Sequence, residues 1–267
     1  MKLDRAGLDR ICSIAEAAGG EIMAVYATDF ESWSKNDASP ITQADLRADA
    51  VIRQGLESLF PDVFIWSEES ASKSAAVPQT FFLVDPLDGT REFLKRNGEF
   101  TVNIALIHQG ESVAGVVYAP ALGEFFYAAR SLGAWKRPQG GAETPLKTAG
   151  IEPTQALRVI ASRSHADDSQ TAWLAQLPQD QSFHAAGSSL KFCRLAEGEA
   201  DLYPRFAPTS QWDTAAGQAV LQMAGGAVLG ADRLPLRYGL ELPVLNPYFV
   251  ALGDPTLSLP EFPTKVA

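Results

Sequence analysis

The sequence predicts a layered α/β protein in two parts, an α+β N-terminal unit over residues 1–153 and an α/β C-terminal unit over 154–267. Three observations carry the prediction. An amphipathic helical period runs through the first 25 residues. Three apolar runs parted by Gly- and Pro-bearing turns fill 100–129, as in an antiparallel meander. Beyond 154, short strand-like runs alternate with helical ones, the pattern of a layered α/β unit.

In chain order, Leu8, Ile11, Ala15, Ala18, Ile22 and Val25 recur at steps of three and four and form one apolar stripe, interrupted at Gly19-Gly20. A polar loop is expected over 29–40. Thr42-Gln43-Ala44-Asp45 opens a second helix carrying Ile52, Leu56, Leu59 and Phe60, and Pro61 stops it. An apolar run at 81–84 reads as a strand that ends in a turn, Asp85-Pro86-Leu87-Asp88-Gly89-Thr90. The meander strands are 100–107, 112–119 and 124–129. Gly- and Pro-rich sequence over 138–153 carries little structural signal and marks the boundary between the units. In the second unit strands are expected at 157–161, 182–186 and 200–203. Helices are expected at 167–177, 189–197 and 213–224, the last ended by Gly225-Gly226.

The 267 residues are 46% hydrophobic and 20% charged, an ordinary globular composition. Their 22 Lys and Arg against 32 Asp and Glu leave a net charge of −10. That argues against binding a nucleic acid polymer, which requires a basic face. A small anionic ligand is compatible with it where a local cation cluster or bound cations meet the anion. Cys12 and Cys193, far apart, form neither a disulfide framework nor a thiolate metal site and are expected as small buried thiols. His108, His165 and His184 lack metal-ligand spacing. P-loop, dinucleotide-binding, zinc-protease and nucleophile-elbow motifs are absent. The charged N-terminus does not read as a signal peptide, and no apolar stretch approaches the roughly 18–20 residues of a membrane span. The expected location is the cytoplasm, with peripheral association on the cytoplasmic face of the inner membrane left open.

The acidic residues concentrate at element ends. Glu68-Glu69 follows the apolar run 63–66, Asp85 and Asp88 follow 81–84, and Asp213 stands at a helix start. Carboxylates placed so can converge on one rim, and an oxygen-only cluster suits Mg²⁺. Two such ions a few Å apart would clamp the attacking and leaving oxygens of a phosphoryl displacement. Each residue also has a plain structural reading. Asp85-Pro86-x-Asp88-Gly89 suits a turn, Glu68-Glu69 a solvated loop, Asp213 an N-cap, and Thr42 with Asp45 a capping box.

Taken together, Trp66-Ser67-Glu68-Glu69, Asp85-Pro86-Leu87-Asp88-Gly89-Thr90 and Trp212-Asp213-Thr214-Ala215-Ala216-Gly217 resemble the signatures of the inositol monophosphatase superfamily, in the expected order across nearly the whole chain. The resemblance implies the sugar-phosphatase fold, a five-layer α/β/α/β/α sandwich. It also implies a Mg²⁺-dependent, lithium-sensitive phosphatase holding two or three ions. Lys95-Arg96-Asn97-Gly98-Glu99-Phe100-Thr101-Val102-Asn103, Ser162-Arg163-Ser164-His165, Gly187-Ser188-Ser189-Leu190-Lys191-Phe192-Cys193 and Tyr203-Pro204-Arg205 are similar to the bisphosphate-nucleotidase branch. That branch implies hydrolysis of the 3′-phosphate of adenosine 3′,5′-bisphosphate to AMP and phosphate in sulfate assimilation, extending to the sulfated nucleotide. Gln211 departs from the acidic residue expected before Trp212-Asp213.

Carried over residue by residue, the resemblance implies that Glu68, Asp85 and the Leu87 carbonyl hold one metal. Asp85, Asp88 and Asp213 hold a second, and Glu68 shares a weaker third. Thr90 and Asp45 form the dyad that orients and deprotonates the attacking water, with Glu68 counted among the catalytic residues. The N–H groups at Gly89 and Thr90 meet the phosphate. His165, Ser188, Lys191, Arg205 and Asp213 contact the rest of the nucleotide bisphosphate, Lys191 and Arg205 as its cations. The alternatives are an inositol- or fructose-1,6-bisphosphate-type phosphatase with the same metal core and, in a different class, a non-catalytic nucleotide- or metal-binding regulator. Monomer and homodimer are both compatible with the sequence.

Overall fold

The computed structural model describes residues 3–29, 32–34, 40–69, 77–152, 154–161 and 168–263. Helix α1 (Arg5–Tyr26) begins where the Asp4 side chain accepts the Gly7 N–H at 2.8 Å, and it buries the expected stripe together with Cys12 and Ile14. It runs unbroken through Gly19-Gly20. Gly19 is required by packing, since a Cβ there would stand 2.4 Å from the Tyr118 ring. Two short antiparallel strands, β1 (Ser32–Ser34) and β2 (Pro40–Thr42), occupy the stretch expected as a polar loop. Helix α2 (Gln43–Leu59) follows directly, capped by Thr42.

Seven strands form the first sheet, in the order β3 (Phe64–Ser67), β4 (Thr80–Asp88), β5 (Thr101–His108), β6 (Glu111–Ala119), β7 (Glu124–Ala129), β8 (Gly133–Pro138) and β9 (Thr144–Pro145). Only β3 and β4 pair in parallel; the rest is the expected meander, lengthened by β8 and β9. The single-turn helix α3 (Thr90–Leu94) leaves β4. The second sheet draws on β10 (Leu157–Ala161), β11 (Gln181–Ala185), β12 (Leu202–Arg205), β13 (Ala227–Gly230) and β14 (Phe249–Leu252), ordered β11-β10-β12-β14-β13. Helices α4 (Asp168–Leu174), α5 (Leu190–Ala196) and α6 (Gln211–Met223) connect them, α4 being shorter than the helix expected over 167–177.

The alternation of side chains along β4 sets the layers. Phe82 and Val84 face the core shared with α1 and α2, while Phe81 and Leu83 face the opposite core, built with α5 and α6. The far side of that second core is the other sheet, through Tyr203, Phe249 and Ala251. Leu202, Val250 and Leu252 turn the other way and pack with Trp173 and Leu174 of α4. The order is helix, sheet, helix, sheet, helix. Cys12 and Cys193 are free and buried, and burial pushes the Cys12 thiol up to about 12, so neither is poised as a nucleophile. Among the described residues no helix is long and apolar enough to cross a membrane.

Candidate active site

β4 does not end where its apolar run ends. Asp85 pairs with Asn103 and Asp88 with Thr101, so three steps along β4 oppose two along β5, a bulge. Pro86, with no N–H to give, is tolerated there. The segment expected as a turn is thus a bulged strand end that aims its carboxylates. Asp85 is buried and accepts the Leu87 N–H at 3.1 Å. The Glu68 N–H donates to the Val84 carbonyl at 3.1 Å, which seats Glu68 beside the same end.

Asp213 arrives from the other sheet's side on the first turn of α6. The N-cap of α6 is Ser210 and not Asp213 itself. Asp213 stands at the third helical position, where its Oδ2 accepts the Ser210 N–H at 2.9 Å. The Trp212 ring meets the Trp66 ring edge-on at 5.8 Å, which locks this turn against β3.

The carboxyls interact. Burial, then the charges of Glu68, Asp88, Asp213 and Asp45, push Asp85 well above the ordinary carboxylate range. Burial and the neighbouring Asp88 do the same to Asp213. Burial raises Asp88 as well, against the opposing pull of Lys191. An oxygen-only set of mutually repelling carboxyls, Asp85 buried and Asp88 and Asp213 half-buried, fits a hard divalent cation in donor chemistry and charge. Among the described residues, no three His, Cys, Asp or Glu side chains are already gathered as a ligand set.

Asp45 serves two neighbours. Its Oδ2 accepts the Thr42 N–H at 2.8 Å and the Thr42 hydroxyl at 2.7 Å, completing the cap of α2. Its Oδ1 receives the Thr90 hydroxyl at 3.4 Å, across 45 residues of chain. Asp45 thus caps α2 through one oxygen and meets the Thr90 hydroxyl through the other, while the same hydroxyl lies 3.4 Å from the Leu87 carbonyl. Thr90 follows Gly89, whose φ of 90° is left-handed and where a Cβ would strike Ser188 Oγ at 2.0 Å, so this turn accepts only glycine.

A pocket enclosing about 120 Å³ opens beside Asp88, Gly89 and Asp213 and is closed by Lys191, Tyr203 and Arg205. Pockets that engulf a whole small molecule run to about 300–1,000 Å³. This one has room for a small group and not for a whole nucleotide. Lys191 is buried, donates to the Ser188 carbonyl at 2.7 Å and lies 5.4 Å from the centre of the Tyr203 ring. Burial lowers its pKa to about 8, with Asp88 opposing. Arg205 donates through Nη2 to the Pro208 carbonyl at 2.9 Å, and its buried Nε has no hydrogen-bond partner. Ser188 lines the pocket, but its hydroxyl is directed at the carbonyls of Asp88 (2.9 Å) and Glu99 (2.8 Å) and not at an incoming anion. It ties the 187–189 loop to the end of β4. His165 lies outside the described residues.

Further residues support the site without a role in the sequence reading, Asn103 and Ser189 standing there only within motif stretches. Arg91 of α3 lines the pocket. Asp49, one turn after Asp45 on α2, accepts the Ser67 hydroxyl at 2.5 Å and so anchors the residue before Glu68. Asn103 and Ser189 join beneath Asp88. The available signal was polarity out of place: Asn103 interrupts an apolar strand, and Asp49 falls on the buried face of an amphipathic helix.

The inositol monophosphatase family model matches residues 7–251. The protein called 3′(2′),5′-bisphosphate nucleotidase CysQ in Salmonella typhimurium is 48% identical over 246 residues, 91% of this chain and 98% of that protein. The protein of the same name in Escherichia coli K12 is 47% identical over the same shares. Among solved structures, CysQ from Bacteroides thetaiotaomicron aligns with a TM-score of 0.79 and 35% identity, covering 93% of this chain and 97% of that one. Inositol monophosphatase from Anabaena aligns with a TM-score of 0.73 and 25% identity, covering 94% and 92%.

Proposed function

Because the chain belongs to the inositol monophosphatase family, we propose that it is a phosphatase that removes the 3′-phosphate of adenosine 3′,5′-bisphosphate, releasing AMP and inorganic phosphate. The observation that carries the reading is the meeting, at one small pocket, of the half-buried carboxyls of Asp88 and Asp213, one from each half of the chain, with two cations, Lys191 and Arg205. The names of the relatives at 47–48% identity support the choice of substrate. The activity extends to the sulfated nucleotide through the same 3′-phosphate.

Glu68, Asp85, Asp88, Asp213 and the Leu87 carbonyl would hold two or three Mg²⁺ ions. When bound, Mg²⁺ supplies positive charge to the phosphoryl oxygens and lowers the pKa of water. The chain does the rest. Thr90 accepts a proton from the attacking water at Oγ1 and gives its own towards Asp45 Oδ1, whose other oxygen is fixed by Thr42. The N–H groups of Gly89 and Thr90 face the phosphate being cleaved. Water adds to phosphorus, the bond to the 3′-oxygen breaks, and that oxygen takes up a proton from solvent to leave as the ribose hydroxyl, while Asp45 returns to solvent the proton it received. Lys191 and Arg205 grip the remaining phosphate, and Asp213 contacts the sugar side.

Phosphate release with Mg²⁺ tests this directly on adenosine 3′,5′-bisphosphate, inositol 1-phosphate and fructose 1,6-bisphosphate. A clear preference for the nucleotide in kcat/KM is expected. Preference for either sugar phosphate would replace the substrate while keeping the family chemistry.

A further inference from the structure

Asn103 stands in the middle of β5, fully buried, directly across the ladder from Asp85. Its strand neighbours Val102, Ile104 and Ala105 are buried and apolar. The amide reaches two partners from one nitrogen: Nδ2 donates to Ser189 Oγ at 2.9 Å and extends to Asp88 Oδ2 at 3.4 Å. Ser189 passes the link on, its hydroxyl donating to the Asp213 main-chain carbonyl at 2.8 Å. One continuous run of hydrogen bonds therefore joins the side chain of Asp88, on the first sheet, to the first turn of α6, which carries Asp213.

We propose that Asn103 is a positioning residue that, with Ser189, sets the separation of Asp88 and Asp213 and thereby the affinity of the cation they would share. The inference rests on the metal reading above and adds to it a residue that touches no metal or substrate. Three features point the same way. The amide is neutral, so it can sit against Asp88 without adding to the repulsion between Asp85, Asp88 and Asp213. It is a double donor, which a carboxylate or an aliphatic residue is not. Its Oδ1 is buried without a hydrogen-bond partner, as is Thr101 Oγ1 two residues earlier on the same face. Burying an unmatched acceptor opposes folding, so stability alone would select an apolar residue here. Asp88 on β4 and Asp213 on α6 stand 125 positions apart in sequence, and this bracket ties them through two side chains.

The test compares the full chain with Asn103→Leu, Asn103→Asp and Ser189→Ala. Divalent-ion affinity is read by Mn²⁺ titration followed by electron paramagnetic resonance, without substrate. Steady-state kinetics is read alongside over a range of Mg²⁺. Loss of a group that orients a metal ligand weakens metal binding by about 10–100-fold. Asn103→Leu and Asn103→Asp should show that loss, with kcat largely recovered at high Mg²⁺ and KM for the nucleotide changed by less than about threefold. Ser189→Ala, a smaller truncation that leaves β5 intact, should weaken Mn²⁺ in the same direction. Combined with Asn103→Leu it should add little, because both cut one bracket. If the variants fold and bind Mn²⁺ as the parent does, with only thermal stability reduced, Asn103 is a packing residue and the inference is wrong. If Asn103→Leu does not fold, Ser189→Ala alone decides by the same criterion. If the parent itself binds no Mn²⁺, the metal reading fails first and takes this inference with it.

Discussion

The helix cap at Asp45 and the proton-accepting role proposed for it can be separated by mutation. Thr42→Ala removes the hydroxyl that donates to Asp45 Oδ2 at 2.7 Å and accepts the Ala44 N–H at 3.1 Å. It leaves the Thr42 N–H on Oδ2 at 2.8 Å, so the carboxylate keeps its orientation. Loss of a Thr cap costs about 1–2 kcal/mol. For a chain of this size that lowers Tm by about 2–6 °C. Thr90→Ala leaves the cap whole and removes the 3.4 Å contact to Oδ1. A positioned proton acceptor contributes about 10²–10⁴-fold to rate, so kcat should fall by that order with Tm within about 1–2 °C. The two variants are thus expected to move opposite observables. Asp45→Asn should move both, since an amide can neither accept two Thr42 donors as well nor take a proton. The assay is phosphate release at saturating Mg²⁺ and nucleotide, paired with thermal unfolding. Should Thr42→Ala depress kcat as deeply as Thr90→Ala, or Thr90→Ala act through KM alone, the dual role assigned to Asp45 is refuted.

The remaining predictions concern charge. Truncating Lys191 or Arg205 to Ala should lower kcat/KM for adenosine 3′,5′-bisphosphate by about 10–150-fold, the worth of one charge-assisted hydrogen bond. A monophosphate substrate should lose much less, and equal losses on both would show that these cations do not read the second phosphate. Asp85→Asn should reduce kcat by about 10²–10³-fold or more in a folded protein; near-parental kcat would remove Asp85 from the metal set. A carboxyl whose pKa is raised on folding contributes stability that is full below its unfolded value and is lost as pH rises through the folded one. Burial raises Asp85, Asp88 and Asp213 in this way, with repulsion from neighbouring carboxylates adding at Asp85 and Asp213. Without divalent cation the chain should therefore lose stability from these groups as pH rises, while Mg²⁺ at 100 times its Kd restores about 2.7 kcal/mol. The Tm difference between Mg²⁺ and chelator should widen as pH rises above the ordinary carboxylate range, and a constant difference would argue against cation binding by these carboxyls.

The sequence by itself determined what depends on neighbours a few residues away. The stripe Leu8, Ile11, Ala15, Ala18, Ile22 and Val25 follows from the helical period, and it is buried in α1 as read. The meander strands follow from apolar runs and their turns, and Thr42 with Asp45 from the spacing of a capping box. The acidic candidates were legible because charged residues next to buried strands are out of place. Tertiary structure decided the rest. Asp85-Pro86-Leu87-Asp88 has turn composition, yet it continues β4, because pairing with β5 outweighs local preference and a bulge absorbs the proline. β8 and β9 carry little pattern of their own and exist by adding to an edge already formed. Ser188, a donor for an anion on paper, is turned onto the Asp88 and Glu99 carbonyls by a loop that only the packed second sheet brings there. The second partner of Asp45 and the bracket from Asn103 to Asp213 join residues tens to more than a hundred positions apart. Local propensity acts over one or two turns of chain, whereas such contacts exist only once two sheets close on the helices between them.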